Sequence, residues 1–330
     1  MTRTLAETPL LDVRDLTVTF RTERGTVTAL NAVNLTLERG QVLGLIGESG
    51  SGKSVTMRAL LRILPRKRAQ VSGSIALNGR DVLALKGKDL ARYRGGDVSM
   101  IFQEPALSLD PVFTIGNQIA ETVVHHRGGT WEAARRRALE MLELVKIPSA
   151  RSRLDNYPHE MSGGMRQRAM IALALSCSPK LLLADEPTTA LDATVQIQVI
   201  LLLRELQKEL GMATIFVTHD VGVAAEISDK VAVMYGGRVV ETGPASGVLK
   251  APLHPYTDGL LSSTIHGGMS GERIVAIPGM PPDLANMPPG CAFAPRCPRA
   301  IPACESGRPA LAEMGDERRV ACIRLAATAA

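Results

Sequence analysis

The stretch Val42-Leu43-Gly44-Leu45-Ile46-Gly47-Glu48-Ser49-Gly50-Ser51-Gly52-Lys53-Ser54 decides the fold. An apolar run comes first, then a glycine-rich loop, then the helix-forming Val55-Thr56-Met57-Arg58-Ala59-Leu60-Leu61. Gly47 to Ser54 fits the P-loop pattern G-x-x-x-x-G-K-[ST], and strand before and helix after are the context this pattern needs. Glycines let backbone N–H groups turn inward around phosphate oxygens, the helix N-terminus adds the positive end of its dipole, and Lys53 supplies a full charge. The Ser54 hydroxyl is the group such a loop offers to Mg2+. The bland alternative is a glycine-rich turn that merely precedes a helix. The complete pattern in this context points to a nucleoside triphosphate.

The totals leave room for this. A chain of 330 residues suggests about two domains, or one large domain with an appendage. With 45% hydrophobic but only 3% aromatic residues, the core must come from Leu, Val, Ile, Ala and Met, which suits an α/β protein. The formal charge of +5 is spread out, with short clusters at Arg66-Lys67-Arg68 and Arg135-Arg136-Arg137. Nucleic acid is allowed but not demanded, and the arginine triplet reads as a solvated helix face. Met1 to Glu7 has no signal-like apolar segment, and no apolar run reaches the roughly 18 residues of a membrane span. The expectation is a cytosolic chain that meets a membrane only through a partner. Five cysteines in such a chain argue against a disulfide framework, yet four of them fall within the last 40 residues.

Taken in order, Leu11-Asp12-Val13, Leu16 to Phe20, Thr26 to Leu30 and Val33 to Leu37 read as short antiparallel strands, with turns at Arg24-Gly25 and Arg39-Gly40. Phe20, before a polar loop, is either an adenine-stacking platform or an ordinary core aromatic. Gly73 to Gly79 reads as a hairpin strand and Val98 to Phe102 as a buried one, with Gln103 at the end where α/β sheets bind ligands. From about 114 to 172 the period is helical, with Ile115, Ile119, Val123 and then Ala138, Leu139, Leu142, Val145, and Tyr157-Pro158-His159-Glu160 breaks the run. Ser162-Gly163-Gly164 then opens a strong helix, either as a second anion site or as a plain N-cap.

Leu181 to Asp185 with Glu186 is the form of a buried strand with an acidic tip. Asp185 reads as an Mg2+ group, direct or through water, and Glu186 as a base for a water aimed at the γ-phosphate. Thr214 to Thr218 is the next buried strand, with His219 at its end to contact that phosphate and hold the water. Val231 to Tyr235 and Arg238 to Glu241 flank Gly236-Gly237 as a closing hairpin.

Together these pieces resemble the ATP-binding subunit of an ABC transporter. The resemblance rests on Walker A Gly47 to Ser54, Q-loop Gln103, signature Ser162-Gly163-Gly164, Walker B Leu181 to Asp185 with Glu186, D-loop Ala190-Leu191-Asp192 and H-loop His219. It covers about residues 10 to 325 and narrows to the oligopeptide/dipeptide subfamily through Gly47 to Thr56, Phe102-Gln103-Glu104-Pro105, Pro158 to Met165, His254-Pro255-Tyr256-Thr257, Ile277-Pro278-Gly279 and Gly290 to Cys297. Met161 stands where leucine is usual and Met165 where glutamine is common, but the phosphate-facing centre is intact.

The resemblance implies a P-loop NTPase core of RecA type with a mainly parallel sheet, an antiparallel β subdomain, a helical signature subdomain at about 110–172, and a small irregular cysteine tail. The ATPase domain would span 1–250 and the extension 251–330. Phe20, Gly47, Glu48, Ser49, Gly50, Ser51, Gly52, Lys53, Ser54 and Val55 would bind ATP, and Ser54, Gln103 and Asp185 would hold Mg2+. Lys53, Gln103, Glu186 and His219 would be catalytic. Ser162, Gly163, Gly164 and Asp192 would serve the ATP of a second ATPase subunit, more commonly a related but different chain. Further partners implied are two integral membrane permease subunits and, indirectly, an extracytoplasmic solute-binding protein, with the chain on the cytoplasmic face of the inner membrane and no nucleic acid. The cargo would be di- or oligopeptides, with nickel, glutathione or another small solute as alternatives. A non-transport ABC ATPase acting on DNA or ribosomes, or a regulatory module that does not hydrolyse, are the readings from other classes.

Cys291, Cys297, Cys304 and Cys322 lie in a Pro- and Arg-rich segment that can hardly build its own core, so a metal staple would be useful. Four thiolates suit Zn2+ or an iron–sulfur cluster, although intervals of five, six and seventeen residues lack the close pairs of zinc ribbons. The resemblance favours [4Fe–4S], with zinc and free thiols left open. Cys177, in an apolar helix, reads as a small buried hydrophobe.

Overall fold

Leu11–Thr22 alternates buried and exposed side chains, the period of a strand with one face on a core. In the computed structural model, which describes residues 8–23, 25–103, 108–188, 191–263 and 276–326, this strand is the centre of an antiparallel sheet. Met1 to Glu7, Arg24, Glu104-Pro105 and Ala190, all read above, lie outside the described residues. Packing divides the chain into two units, 1–83 with 216–330, and 84–215.

In the first unit Leu11–Thr22 is flanked by Gly25–Leu37 and Ala69–Leu77, with Leu11 opposite both Leu37 and Leu77. The four short strands expected before residue 38 are thus two long ones. What looked like gaps are bulges: the alternation slips at Arg14-Asp15, and Asp15 and Ala32 both take φ of 50°. Asp15 N–H donates to Asn34 Oδ1 at 3.0 Å and Ala32 N–H to Thr17 Oγ1 at 3.1 Å, so side chains satisfy what the ladder leaves open.

The P-loop strand Val42–Ile46 is buried along its whole length and runs parallel to Lys230–Tyr235, Ile46 beside Val233. Lys230–Tyr235 pairs antiparallel with Arg238–Pro244 through Gly236-Gly237, the closing hairpin expected. Both hairpin glycines have positive φ, 54° and 76°, as the tight turn requires.

Among the described residues from 276 onward the tail carries only short elements, among them Ala303–Ser306, Ala312–Glu313 and Arg319–Val320, yet it is built into this unit. Arg319–Val320 pairs with Glu241 and Thr242, and Ala312–Glu313 pairs with Arg319–Val320 in turn. Glu241, fully buried, accepts from the backbone of Leu253 and His254 (2.9 Å each) and pairs with Arg318 at 2.6 Å. That triad ties the entry of helix Pro255–Ser262 to the tail. Phe293, 2% exposed, meets the rings of Tyr235 and Tyr256 at 5.3 and 5.4 Å and shares a core with Ile46, Val231 and Val233.

In the second unit Val98–Ile101 lies parallel to Leu181–Asp185, with Val98 beside Leu181 and Ile101 beside Ala184. The first strand stops one residue earlier than its apolar run, and Phe102 is 42% exposed. The helical region comprises Ile115–Arg127, Trp131–Leu144, the short Ala150–Arg153 and Gly163–Leu175. The arginine triplet does form an ion-paired helix face: Arg135 with Asp155, Arg136 with Glu132 and Arg137 with Glu140. Cys177 is buried, and burial pushes its thiol up.

Because Phe293 completes a core built by strands Val42–Ile46 and Lys230–Tyr235, Phe293→Ala should lower the stability of the full chain by about 3–5 kcal/mol. Urea denaturation measures it. A loss below about 1 kcal/mol would show a tail that folds apart from that core.

Candidate functional site

The loop Gly47 to Ser54 has the backbone its glycines allow. Gly47 has φ of 149°, and a Cβ there would lie 2.3 Å from the Met234 carbonyl oxygen. At Gly52, with φ of 107°, a Cβ would meet Leu30 at 2.8 Å. Helix Lys53–Leu60 starts directly after it, with Ser54 and Val55 half-buried in its first turn. Lys53 is 6% exposed and folds back over its own loop, donating from Nζ to the Gly47 and Glu48 carbonyls at 2.7 and 3.0 Å. The result is a curled backbone with an ammonium inside it, the shape and charge that hold a phosphate.

Glu48 is held from three sides. Its N–H donates to the Tyr256 hydroxyl at 2.8 Å, its carbonyl accepts from Lys53, and its carboxylate takes both arms of Arg296, 2.7 Å to Nη1 and 3.0 Å to Nη2. Arg296 also donates to the Tyr235 hydroxyl at 3.2 Å and the Pro278 carbonyl at 2.9 Å, and the hydrogen bond to Glu48 raises its pKa further. Beside this contact, Glu48 to Ser51, Gly236 and Pro281 to Leu284 line a cleft of about 280 Å³.

In the second unit the parallel pairing brings Gln103 and Glu186 to the same edge. Gln103 Nε2 donates to Glu186 Oε2 at 3.2 Å. Asp185, the last residue of its strand, is buried, and Glu186 takes a left-handed φ of 47°, strain of the kind that persists where neighbours over-determine a backbone.

Ser162 caps helix Gly163–Leu175, its Oγ accepting from Met165 N–H at 3.3 Å, and Asp192 caps Ala193–Leu210 in the same way through Val195 N–H at 3.0 Å. The two helix starts touch: a Cβ on Gly164 would meet Val195 Cγ1 at 3.0 Å, whereas one on Gly163 would meet nothing. Ser162 therefore acts as an N-cap while Gly163 keeps its side open. Met161, just ahead of this cap, is 4% exposed and fills an apolar position.

His219 follows strand Ala213–Thr218 and is exposed, ahead of Asp220, whose Oδ1 accepts from Val223 N–H at 3.2 Å to cap helix Val221–Ile227. Phe20 is half-buried, opposite Val27 and Ala69, and so is not a core aromatic.

The four tail cysteines are electrostatic neighbours. Burial, and then the thiols of Cys304 and Cys297, push the Cys291 thiol up; burial, and then those of Cys304 and Cys322, do the same to Cys297. Cys291 N–H donates to the Cys304 carbonyl at 2.8 Å. Among the described residues, however, no three or more His, Cys, Asp or Glu stand as a set that holds a metal ion.

Comparison with known proteins now decides the family. A model of the ABC transporter family matches residues 30–189, and one of the oligopeptide/dipeptide transporter C-terminal region matches 240–304. A protein of Brucella melitensis named as a peptide import ATP-binding protein is 48% identical, covering 97% of this chain and 98% of its own length. This chain belongs to the ABC transporter ATP-binding family. A similarly named protein of Brucella abortus is 47% identical over 96% of this chain and 95% of its own. Among solved structures, a dimeric ATP-binding cassette in a post-hydrolysis state with ADP and Pi superposes with a TM-score of 0.63 at 27% identity, over 71% of this chain and 98% of that one. A component of an ABC transporter complex from Clostridium perfringens gives 0.64 at 29%, over 74% and 92%. The fold of this ABC protein is accordingly the α/β P-loop cassette, and it is an ATPase subunit.

Three contacts in this ABC protein have no role legible in its sequence, although two of them fall in stretches that mark the family. Gln167, 1% exposed, donates from the signature helix to the Pro187 carbonyl just past Glu186. Arg296 is one arginine among many until its partner is known. His254-Pro255-Tyr256-Thr257 was visible as a family mark but without a role. His254 Nδ1 caps helix Pro255–Ser262 by accepting from Tyr256 N–H at 3.0 Å, while the ring also bonds to the Ala321 backbone.

Burial keeps His254 neutral, lowering its pKa from 6.5 to about 4. The unfolded chain then takes up a proton near pH 6.5 that the folded chain refuses until about pH 4, so stability falls across that window by about 3 kcal/mol in all. Between pH 7 and pH 5, His254→Gln should lose roughly 2 kcal/mol less stability than the native chain in urea denaturation. Equal losses would mean that His254 titrates normally.

Proposed function

We propose that this ABC protein energises the import of di- or oligopeptides through membrane permease subunits. The observation that carries the reading is the presence, in one chain, of a match to the ABC transporter family and one to the oligopeptide/dipeptide transporter C-terminal region. Its full-length likeness to proteins named for peptide import supports the same cargo.

In this reading residues 1–250 are the ATPase domain and 251–330 its extension. Gly47 to Val55 cradle the triphosphate, with Lys53 leaving its carbonyls for the phosphates, and Phe20 stacks on the adenine. Ser54, Asp185 and Gln103 would hold Mg2+, which when bound supplies positive charge at the β- and γ-phosphate oxygens. Glu186 accepts the proton of the attacking water, aligned by Gln103, whose amide already reaches its carboxylate, and His219 steadies the pair. Ser162, Gly163, Gly164 and Asp192 serve the nucleotide of a second, related ATPase chain. That chain, two permease subunits and an extracytoplasmic solute-binding protein complete the machine on the cytoplasmic face of the inner membrane. Phosphoryl transfer depends chiefly on positioning and charge, so closure around the γ-phosphate is what drives the permeases.

The expected experiment is purification of the tagged chain from its own membranes. Integral membrane subunits should accompany it and peptide should stimulate ATP turnover, which Glu186→Gln should reduce by at least about a hundredfold while nucleotide binding persists. Recovery with nucleic acid and without membrane subunits would overturn the reading.

For the tail, the finer proposal is a [4Fe–4S] cluster on Cys291, Cys297, Cys304 and Cys322. What supports it is the presence of four thiols in one short segment; among the described residues they do not stand as a set that holds a metal ion, and binding would have to draw off the protons that burial retains on Cys291 and Cys297. Protein prepared without oxygen should absorb broadly near 400 nm and contain about four irons per chain, both lost in Cys291→Ser. One zinc, or no metal, would remove the cluster.

A further inference from the structure

A carboxylate is an unexpected neighbour for a triphosphate. Glu48 is the second residue of a loop that exists to receive several negative charges, and unlike charges reward such an approach while like charges oppose it. The structure resolves this from the far end of the sequence, 248 residues away.

Arg296 meets the Glu48 carboxylate as a two-armed fork, the geometry in which guanidinium and carboxylate bind best. The guanidinium is oriented beforehand. Its side chain is 6% exposed, Nε is fixed on the Pro278 carbonyl, Nη1 also reaches the Tyr235 hydroxyl, and the group lies 5.8 Å from the centre of the Tyr235 ring and 6.0 Å from that of Phe293. Tyr256, on helix Pro255–Ser262, meanwhile holds the Glu48 N–H, and Lys53 its carbonyl. Every polar group of Glu48 is therefore engaged, two of the three by residues beyond position 250.

We propose that Arg296 is a positioning residue for the phosphate-binding loop: from the C-terminal extension it neutralises Glu48 and sets the loop's conformation, so that the extension tunes nucleotide affinity directly. The inference rests on the P-loop as the nucleotide site and is independent of the cargo and of any metal in the tail. It accounts for a physical link between an extension of irregular structure and the ATPase core.

The test is a titration of the full chain with a fluorescent ATP analogue and Mg2+ at low and high salt. Arg296→Ala should weaken binding on the order of tenfold, the deficit being larger at low salt, because an uncompensated Glu48 carboxylate now faces the phosphates. Arg296→Lys, which keeps the charge and loses the fork, should fall between. The double variant Glu48→Gln/Arg296→Ala should recover most of the native affinity, which a merely structural arginine would not permit. Native affinity in Arg296→Ala, a deficit indifferent to salt, or one that Glu48→Gln leaves untouched would each overturn the proposal. If Arg296→Ala does not fold, the same comparison on Arg296→Lys decides: relief by Glu48→Gln supports the clamp and unchanged affinity refutes it. Failure of the native chain to bind the analogue would strike at the nucleotide site instead.

Discussion

A loop that offers its backbone to phosphate has no room for side chains on the side where it turns. That constraint organises the first unit. At Gly47 the backbone passes close under the Met234 carbonyl, and at Gly52 it passes against Leu30, at distances that only hydrogen can occupy. The strand that delivers the loop is therefore buried throughout and paired with Lys230–Tyr235, whose own end carries the crowding carbonyl. The loop is tight because its neighbours are fixed, and they are fixed by an apolar core to which the extension contributes Phe293 and Tyr256.

The described residues from 276 onward show how a segment with little regular structure can be tied to a core. Its order comes from anchors placed at intervals: Phe293 between two tyrosines, Arg318 on buried Glu241, Arg296 on Glu48. Buried ion pairs of this kind add little net stability when intact, yet they are costly to break, and so they specify where the chain must lie. His254 belongs to the same scheme as a neutral hydrogen-bonding group, not as a titrating one.

In the second unit register decides which polar residues meet. Parallel pairing of Val98–Ile101 with Leu181–Asp185 carries Gln103 and Glu186 to one edge, and the left-handed backbone at Glu186 turns the chain sharply just after the buried Asp185. The touching starts of Gly163–Leu175 and Ala193–Leu210 leave little room at the second signature glycine: a Cβ on Gly164 would crowd Val195 Cγ1 at 3.0 Å.

Much of this was legible beforehand. The P-loop, the buried strands ending in Asp185 and Thr218, the helical region and the hairpin at Gly236-Gly237 all follow from local rules, because glycine spacing, apolar runs and helical period act on neighbours in the chain. Local rules also misled: Asp15 and Ala32 broke the alternation and suggested strand ends, where hydrogen bonds donated by their own N–H groups to Asn34 and Thr17, far along the chain, keep two long strands continuous. The sequence by itself determined the class of ligand and the kind of fold, since a phosphate loop is written in consecutive residues. Only the tertiary structure decided what holds that loop, because Glu48 and Arg296 are 248 positions apart and nothing in either residue names the other. Their pairing arises from packing, through the Tyr235, Tyr256 and Phe293 rings that set the guanidinium in place.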